Sequence, residues 1–357
     1  MRPITRSTKM DIRPDMPECW GHRGASATFP ENTIASFEKA IRDGSEGLET
    51  DVHITTDDVI VMFHDPTLER TTNGKGLIYE RPYFGDDGIE HLRTLKQPPQ
   101  QIPTFVQVCD LLMRPGNKHV KLNLDIKPDN DPDRLFPLMR KVVESYPNFE
   151  TDLAPRLILG LWHPKFLESA LVNVPSMKRI HIGMSPRAAR KYFWKDCTGF
   201  SMYFACLVGA DGQQFIADAQ KAGKDIYVWT VNRKDEMIEA TRWGVKAVLT
   251  DKTALFQDLR KNMTSDFAST RQDEVGMFFR WATWRYYALP QFVLQNMWMA
   301  NIEKRAGSPF REVPESVAAA APAASLPATT NGSAGISEKT AFRSNIAQPS
   351  IAVNAAA

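Results

Sequence analysis

The sequence is poor in cysteine and carries almost no excess charge. Its 357 residues include four cysteines, which lie far apart without any Cys-x-x-Cys pair, so neither a disulfide framework nor a zinc ribbon is predicted. Lys and Arg number 44 against 42 Asp and Glu, a net charge of +2, which argues against a protein that binds nucleic acid through bulk charge. We therefore expect a reducing compartment and no nucleic-acid partner.

A long apolar run is also missing near the N-terminus. The first residues, MRPITRSTKMDIRPDMPECWG, include basic side chains but no apolar run of signal-peptide length. A secretory signal is therefore not predicted, and we expect the catalytic part of the chain to stay in the cytosol.

Short apolar runs alternate with helical stretches from about residue 19 to about residue 259, which is the pattern of repeated βα units. The predicted strands are Cys19–Arg23, Gly47–Thr55, Val120–Ile126, Arg156–Leu161, Arg179–Gly183, Gly199–Ala205, Asp225–Thr230 and Ala247–Thr250. Because eight strands are enough to close a barrel, we predict an α/β fold, a (β/α)8 TIM barrel, over residues 17–260 after an N-terminal arm at 1–16. The run VIVMFHD after the second strand predicts a small hairpin insertion.

Three acidic residues stand on the second and third predicted strands. Glu49 and Asp51 are two positions apart, so the alternation along a strand points both side chains to the same side, and Asp125 ends the next strand. In a barrel such residues meet at one mouth. There, three carboxylates repel one another unless a hard cation such as Mg²⁺ or Ca²⁺ neutralises them. The pattern therefore predicts a divalent-metal site.

Two histidines and two cations flank this acidic cluster. His22 follows the first strand and His64 follows the hairpin, and together they offer the proton acceptor and donor that in-line displacement at phosphorus needs. Arg23 and Lys127 add fixed positive charge for a phosphate anion. Each residue alone is more often structural, but the set predicts a catalytic site. His53, which alternates with the acidic pair, is predicted to be structural.

Several segments of the chain resemble a known family. They are, in chain order, GHRGASATFPENTIASFEKAI, GLETDVHITTDDVIVMFHDPTLERTTNGKG, LDIKP, and YVWTVN followed by GVKAVLTD. These runs are similar to the motifs of the glycerophosphodiester phosphodiesterase family, and the resemblance extends from about Trp20 to Leu255. Within it, Glu31 and Asn32 are expected to brace the first loop and to cap the helix that begins near Thr33.

The resemblance implies a role for each candidate residue outside the acidic cluster. His22 and His64 would be the general acid and base of the reaction. Arg23 and Lys127 would contact the phosphate, and Trp229 would form a wall of the glycerol pocket.

The resemblance also implies that Glu49, Asp51 and Asp125 bind the divalent metal, Mg²⁺ or Ca²⁺. Family members commonly have glutamate where this chain has Asp125. Because aspartate is one methylene shorter, the metal would lie closer to the third strand or accept a bridging water. The substitution resembles the fungal subgroup that acts as phosphatidylglycerol-specific phospholipase C, which favours a lipid substrate.

An aromatic segment follows the barrel at residues 270–305. The run from 275 to 300 could cross a bilayer by length, but Arg280 and Arg285 are costly near the bilayer centre and Pro290 interrupts a helix. Spacings of 3, 3, 4 and 4 define one apolar stripe, namely Phe278, Trp281, Trp284, Ala288 and Phe292. We predict an amphipathic anchor in the plane of a membrane. The alternative is a C-terminal helix that packs against the barrel.

The last residues, 306–357, are rich in Ala, Ser, Pro, Thr and Asn. Such a composition buries too little apolar surface to order a chain, so a disordered tail is predicted.

Together these features predict a metal-dependent phosphodiesterase that acts on phosphatidylglycerol as a phospholipase C. The 2-hydroxyl of the glycerol headgroup would attack phosphorus and release diacylglycerol, and water would open the cyclic glycerol phosphate. One alternative is a hydrolase of deacylated glycerophosphodiesters that yields glycerol 3-phosphate and an alcohol. Another is a non-catalytic membrane scaffold.

The expected partners are phosphatidylglycerol and a membrane or lipid-droplet surface. We expect a peripheral or monotopic protein on the cytoplasmic face of the endoplasmic reticulum, the mitochondrial surface or a lipid droplet. The sequence predicts no oligomeric state.

Overall fold

The computed structural model describes residues 15–274 and 286–313. Its strands are β1 (Glu18–His22), β2 (Gly47–Ile54), β3 (Ile60–Met62), β4 (Lys121–Ile126), β5 (Leu157–Leu161), β6 (Lys178–Gly183), β7 (Gly199–Tyr203), β8 (Asp225–Trp229) and β9 (Ala247–Thr250). All but β3 are parallel, and they pair in the order β1, β2, β4, β5, β6, β7, β8, β9, with β9 pairing again with β1. This closed barrel of eight strands confirms the predicted (β/α)8 TIM barrel.

Helices lie between the barrel strands and after the last one. They are α1 (Ile34–Arg42), α2 (Phe105–Met113), α3 (Pro132–Glu144), α4 (Phe149–Asp152), α5 (Lys165–Asn173), α6 (Pro186–Tyr192), α7 (Phe204–Leu207), α8 (Ala210–Lys221), α9 (Lys234–Arg242), α10 (Thr253–Ser265), α11 (Phe267–Glu274) and α12 (Ala288–Ala306). Short 3₁₀ turns occur at Ile78–Glu80, Pro115–Asn117 and Ala154–Arg156.

The cap of α1 differs from the expected one. The Thr33 hydroxyl accepts from the Ser36 backbone N–H, and the Thr33 N–H donates to the Ser36 hydroxyl, both at 3.2 Å. This reciprocal pair satisfies two N–H groups that a helix start leaves open. Asn32 is not the cap, because its left-handed backbone, with φ 55°, turns the side chain into the barrel mouth.

The sequence patterns do not predict α2. Its residues, FVQVCDLLM, are mostly apolar and six of them are buried, and a short apolar run does not distinguish a buried strand from a helix. The helical start is fixed by a reciprocal cap, in which the Thr104 N–H donates to Gln107 Oε1 at 2.9 Å and the Gln107 N–H donates to the Thr104 hydroxyl at 3.3 Å.

The predicted hairpin insertion is present after β2. Strand β3 pairs antiparallel with β2, with Val52 opposite Met62, and Asp58 turns the chain at φ 64°. The segment that follows has its own apolar cluster, formed by Val59, Val61, Phe63, Leu68, Ile78, Tyr83, Ile89 and Ile102. This cluster supports the loop that carries His64.

The register of the first barrel strands sets the positions of the predicted site residues. Strands β2 and β4 place Asp51 opposite Asp125, and strands β1 and β2 place His22 opposite Glu49. The barrel interior also holds an apolar cluster, made by Trp20, Ile158, Ile180, Tyr227, Ala247 and Leu249. Charged residues of three adjacent strands therefore meet on one side of the barrel.

The C-terminal helix α12 begins at Ala288. Tyr287 before it has an extended backbone, and Pro290 lies in the first turn of the helix, where a missing N–H costs no hydrogen bond, so no helix runs unbroken through Tyr287 and this residue, as expected. No helix in the described part of the chain is long and apolar enough to cross a membrane. Parts of the predicted anchor, arm and tail lie outside the described residues, namely Phe278, Trp281, Trp284, 1–14 and 314–357.

Candidate active site

A tight turn after β1 carries His22 and Arg23 to the barrel mouth. Arg23 and Gly24 both have left-handed backbone angles, with φ 55° and 78°. A Cβ on Gly24 would come within 2.4 Å of the Ser36 hydroxyl, so this position requires glycine. The turn lets the Arg23 backbone N–H donate to Glu49 Oε2 at 2.9 Å.

The three predicted metal ligands lie together. Glu49, Asp51 and Asp125 are buried, and one oxygen from each lies within 4.8 Å of the others. Lys127 Nζ lies 2.5 Å from Asp51 Oδ1 and donates to Asp125 Oδ2 at 2.8 Å. The Asn32 amide donates to Asp51 Oδ2 at 2.7 Å. Asn32 therefore orients a carboxylate of the cluster in addition to bracing the first loop.

Asp125, the aspartate that replaces the family's common glutamate, is held at both of its oxygens. Trp162 Nε1 donates to Asp125 Oδ1 at 2.6 Å, while Lys127 occupies the other oxygen. The indole and the ammonium group together fix the direction of the short side chain.

The charges of the cluster do not cancel. When all three carboxylates of Glu49, Asp51 and Asp125 are ionised, as ligands of a cation must be, they carry −3, and Arg23 and Lys127 supply +2, which leaves −1. Burial, followed by the neighbouring carboxylates, raises the pKa of Glu49 well above its usual range. At Asp51, burial acts in the same direction, but nearby positive charges, above all that of Lys127, outweigh it and hold the pKa well below its usual range.

A divalent cation would change the charge of this cluster from −1 to +1, which matches the single negative charge of a phosphodiester. Carboxylate oxygens are the ligands that Mg²⁺ and Ca²⁺ prefer. The clustered donors and the residual charge therefore fit a divalent cation, without distinguishing the two metals.

Asp251 holds His22 from the end of β9. Although burial raises the pKa of Asp251, the hydrogen bonds that it accepts, above all the one from His22, lower this pKa to about 2. This ionised carboxylate lies 2.7 Å from His22 Nδ1 and can only accept, so Nδ1 carries the proton. Burial lowers the pKa of His22, and its Nε2 lies 3.4 Å from the Thr230 hydroxyl. Nε2 is thus the nitrogen that can exchange a proton with a substrate.

His64 has a similar support. Its Nδ1 lies 2.6 Å from Asp65 Oδ1, which also accepts from Arg70 Nη2 at 3.1 Å. Arg70 donates to Glu31 Oε1 at 2.7 Å, and Arg23 donates to the same oxygen at 3.0 Å. This chain of contacts connects the hairpin loop to the first loop, so both histidines are oriented by an aspartate and held to the same mouth.

The two predicted phosphate contacts lie in the same cavity as the histidines. Lys127 is 4% exposed, and its pKa is raised because Asp125 and Asp51 outweigh its burial. Arg23 Nε is buried and lies 3.3 Å from Asp51 Oδ2, without a well-formed hydrogen bond to any described residue. Both cations line the cavity beside His22 and can present positive charge to an anion there.

An aromatic wall faces this charged side. Trp229 Nε1 donates to the Ser201 carbonyl at 2.9 Å, and its ring meets that of Trp162 edge to face at 5.6 Å between centroids. Trp298 and Ile302 of α12 continue the wall, and the cavity, which is open to solvent, measures about 130 Å³. The sequence predicted Trp229 here, but not the other side chains of the wall.

Two buried polar side chains of this cavity lack partners. Asn123 and Ser201 are buried, and among the described residues neither Asn123 Oδ1 nor Ser201 Oγ has a hydrogen-bond partner. Because buried polar groups are almost always paired, these two suit a ligand that brings hydroxyl groups.

Sequence reasoning missed Asp251, Asp65 and Trp162. The sequence contained a clue to the first two, because Asp251 ends the run GVKAVLTD and Asp65 directly follows His64. Trp162 had none, since only the barrel brings it to Asp125. His53 is buried, and its Nε2 lies 3.3 Å from the His64 carbonyl, which fits the predicted structural role.

A phosphodiester needs one anion site, one proton acceptor and one proton donor, and the cavity offers each of these in one place. The fold and the site therefore define a phosphoric diester hydrolase built on a TIM barrel.

Comparison with known proteins specifies the family. The profile of the glycerophosphoryl diester phosphodiesterase family matches residues 22–255. Because this match covers most of the chain, the chain belongs to that family. A glycerophosphodiester phosphodiesterase of Caldanaerobacter subterraneus is 29% identical over 248 residues, which are 64% of this chain and 92% of the relative. The predicted enzyme is thus confirmed, against the alternative of a non-catalytic scaffold.

Solved structures show the same fold. An Oleispira antarctica phosphodiesterase, solved in complex with the product sn-glycerol-3-phosphate, is 25% identical with a TM-score of 0.59 and covers 69% of this chain and 97% of its own. A putative glycerophosphoryl diester phosphodiesterase from Silicibacter pomeroyi is 20% identical with a TM-score of 0.61 and covers 70% and 94%.

Proposed function

We propose that this chain hydrolyses deacylated glycerophosphodiesters to glycerol 3-phosphate and an alcohol. The observation that carries the proposal is the joint placement of His22, His64, Arg23 and Lys127 on one cavity beside the carboxylate cluster. The names of the curated relatives support it, as does the product held by the Oleispira enzyme. The cavity also offers polar groups to a glycerol arm at Asn123 and Ser201.

The reaction begins with the 2-hydroxyl of the glycerol arm, which attacks phosphorus in line with the leaving oxygen. One histidine takes the hydroxyl proton as the new P–O bond forms. The other histidine gives a proton to the leaving oxygen as its bond to phosphorus breaks. Water then opens the cyclic glycerol phosphate while the two histidines exchange roles, so both return to their starting protonation states.

The chain's own residues prepare each step. Asp251 and Asp65 hold the Nδ1 side of His22 and His64, which leaves the Nε2 atoms for proton transfer, so either histidine can be the base in the first step. Arg23 and Lys127 bring positive charge to the phosphate oxygens. A divalent cation held by the three carboxylates would add Lewis-acid stabilisation of the charge that develops on phosphorus.

A second candidate function is the hydrolysis of phosphatidylglycerol to diacylglycerol and glycerol phosphate. Here the headgroup supplies the same 2-hydroxyl, and diacylglycerol is the leaving alcohol. The observation that favours it is the exposed apolar face of α12, which includes Leu289, Phe292 and Met297, at 74%, 62% and 65% exposure. The aspartate at position 125, which resembles the fungal phosphatidylglycerol-specific subgroup, also supports it.

This second function would place the chain at a lipid surface as a peripheral or monotopic protein. Its site of action would be the cytoplasmic face of the endoplasmic reticulum, the mitochondrial surface or a lipid droplet. The exposed face of α12 would contact the headgroup boundary, since that face is apolar and about two turns long.

One assay with the full chain tests both functions. Glycerophosphocholine, phosphatidylglycerol liposomes and phosphatidylcholine liposomes are each incubated with the chain, with and without EDTA. We expect glycerol 3-phosphate from glycerophosphocholine, its loss with EDTA, and its return when Mg²⁺ or Ca²⁺ is added. Diacylglycerol from phosphatidylglycerol but not from phosphatidylcholine would establish the second function, because phosphatidylcholine lacks the headgroup hydroxyl. No product from any glycerol diester would contradict the proposal.

A further inference from the structure

Helix α12 lies outside residues 22–255, the part that matches the family profile, yet it lines the same cavity as the catalytic histidines. Trp298, Ile302 and Arg305 contribute to the cavity wall. At about 100° per residue these positions share one face of the helix, opposite the exposed apolar face. The pocket that the barrel strands begin is therefore completed by a separate segment.

Contacts at the C-terminal end hold α12 against the barrel. Arg305 Nε donates to Asp129 Oδ2 at 3.0 Å, and Lys165 Nζ donates to the Ala306 carbonyl at 3.1 Å. The Trp298 ring lies 5.6 Å from that of Trp162, between centroids. Because Trp162 also donates to Asp125 of the cluster, the helix is linked to the carboxylates through this side chain.

Apart from Arg305, the residues of α12 that line the cavity are apolar, and one of them has an N–H without an acceptor among the described residues. Ile302 is 2% exposed and packs with Trp162 and Ile182. Trp298 Nε1 is buried, and no described residue accepts its hydrogen bond. A ligand beside this wall gains by covering alkyl surface and by offering an acceptor oxygen to the indole N–H.

A second cleft continues behind this wall. It is small, with a volume of about 20 Å³, and shares Trp162, Ile182, Trp298 and Ile302 with the catalytic cavity. Its remaining lining is largely apolar and includes Met184. An alkyl chain attached to the leaving alcohol would thus find its apolar surface on the wall that the two share, at Trp162, Ile182, Trp298 and Ile302.

The leaving alcohols of glycerol diesters differ in alkyl length and in whether they carry an acceptor oxygen for the indole N–H. Choline and ethanolamine bring a cation and no acceptor for an N–H, and they have little alkyl length. An acylated glycerol brings ester carbonyl oxygens and an acyl chain. Arg305 already forms an ion pair with Asp129, so among the described residues of this wall a cationic alcohol meets tryptophan rings and no free carboxylate.

We propose that Trp298 and Ile302 are specificity-determining residues that contact the leaving alcohol and favour an acylated one. The inference rests on the proposed phosphodiester hydrolysis, in which one site cleaves deacylated and acylated diesters alike, and adds that these two residues raise kcat/KM for the acylated ones. It concerns single substrate molecules in the pocket, and is therefore separate from any docking of α12 on a lipid surface.

The test uses the full chain with two dissolved substrates that share the glycerol arm. One is glycerophosphocholine, and the other is dihexanoyl phosphatidylglycerol below its micelle concentration, so that no lipid surface is present. The variants are Trp298→Ala, Trp298→Phe and Ile302→Ala. The control is Asn301→Ala, which changes an exposed neighbour on the same helix. A thermal melt of each variant verifies folding.

We expect Trp298→Ala and Ile302→Ala to lower kcat/KM for the acylated diester by about tenfold, mainly through KM, as expected for lost apolar contact in a pocket. For glycerophosphocholine the change should stay within about twofold. Trp298→Phe keeps the ring but loses the N–H, so its loss should be smaller and again confined to the acylated diester.

An equal loss on both substrates would show that α12 acts only as a structural support, and would overturn the inference. So would a wild-type chain that cleaves glycerophosphocholine and not the acylated diester. A wild-type chain that cleaves neither would instead overturn the proposed function itself, so the two failures are distinguishable.

Discussion

The two sides of the barrel mouth differ in chemistry and in origin. Strands β1, β2 and β4, with the hairpin loop, carry the charged residues, namely His22, Arg23, Glu49, Asp51, His64, Asp125 and Lys127. The other side consists of Trp162, Ile182 and Trp229 from later strands, together with Trp298 and Ile302 from α12. We propose that bond breaking depends on the first side, and that Trp298 and Ile302 of the second side govern the choice of leaving alcohol.

The largest effect should come from removing an acid–base group on the charged side. His22→Ala should lower kcat by about 10² to 10⁴ on every diester, because proton transfer at one ester oxygen is lost. The measurement is the steady-state rate on glycerophosphocholine and on dihexanoyl phosphatidylglycerol. His91→Ala, at a 64% exposed histidine side chain, should retain full activity. If His22→Ala lost activity on only one of the two substrates, the proposed role of the charged side in cleaving every diester would be contradicted.

A smaller loss is expected from Asp251→Asn, since Asp251 touches His22 and not the substrate. An amide can hold the wrong tautomer of His22, so kcat should fall by about 10- to 100-fold while KM stays nearly unchanged. Asp258→Asn, at a 73% exposed carboxylate, is the matched control. A rise in KM without a change in kcat would contradict a positioning role.

The exposed face of α12 should matter only when the substrate lies in a bilayer. Phe292→Ser removes part of an apolar contact worth about 1 kcal/mol, so activity on phosphatidylglycerol vesicles should fall by about fivefold. Activity on the dissolved substrates should not change. Asn296→Ser alters a residue of the same face that is already polar and should have no effect. Equal rates of Phe292→Ser and wild type on vesicles would refute docking by this face.

A separate effect concerns stability on the aromatic side, and it leaves activity unchanged. His181 stacks on Phe193 with 3.8 Å between ring centroids, and its Nδ1 lies 2.9 Å from the Leu161 carbonyl. Burial lowers the pKa of His181 to about 3. The unfolded chain therefore binds a proton below about pH 6.5 that the folded chain does not, so the free energy of unfolding falls as the pH decreases from 6.5 towards 3.

This histidine alone should contribute a slope of up to about 1.4 kcal/mol per pH unit in that window. Urea unfolding at pH 7, 6 and 5 measures it. His181→Gln removes this part of the slope, whereas His119→Gln, at an exposed position, should leave it unchanged. Parallel slopes of His181→Gln and wild type would contradict a neutral, buried His181.

The charged side was predictable because it depends on local rules. Glu49 and Asp51 follow the two-residue period of a strand, and parallel strands bring Asp125 to the same end of the barrel. The strands were predicted for the same reason, since each is a short apolar run between helices. The helix α2 was missed because its apolar residues hide the helical period.

The aromatic side was largely not predictable because it depends on distant contacts. Trp162 and Trp298 are 136 positions apart, and no periodicity of either segment predicts that their rings meet. Similarly, Asp251 reaches His22 only because β9 closes the barrel beside β1. Sequence rules describe neighbours on one element, whereas these pairs require the closed fold.

The central claim is that the chain cleaves glycerol diesters by attack of the substrate's own 2-hydroxyl. The most direct measurement compares glycerophosphocholine with the analogue that carries hydrogen in place of that hydroxyl. The account predicts that glycerophosphocholine is cleaved and that the analogue reacts more than about a thousandfold more slowly, because the intramolecular nucleophile is lost. Cleavage of both substrates at similar rates would contradict it.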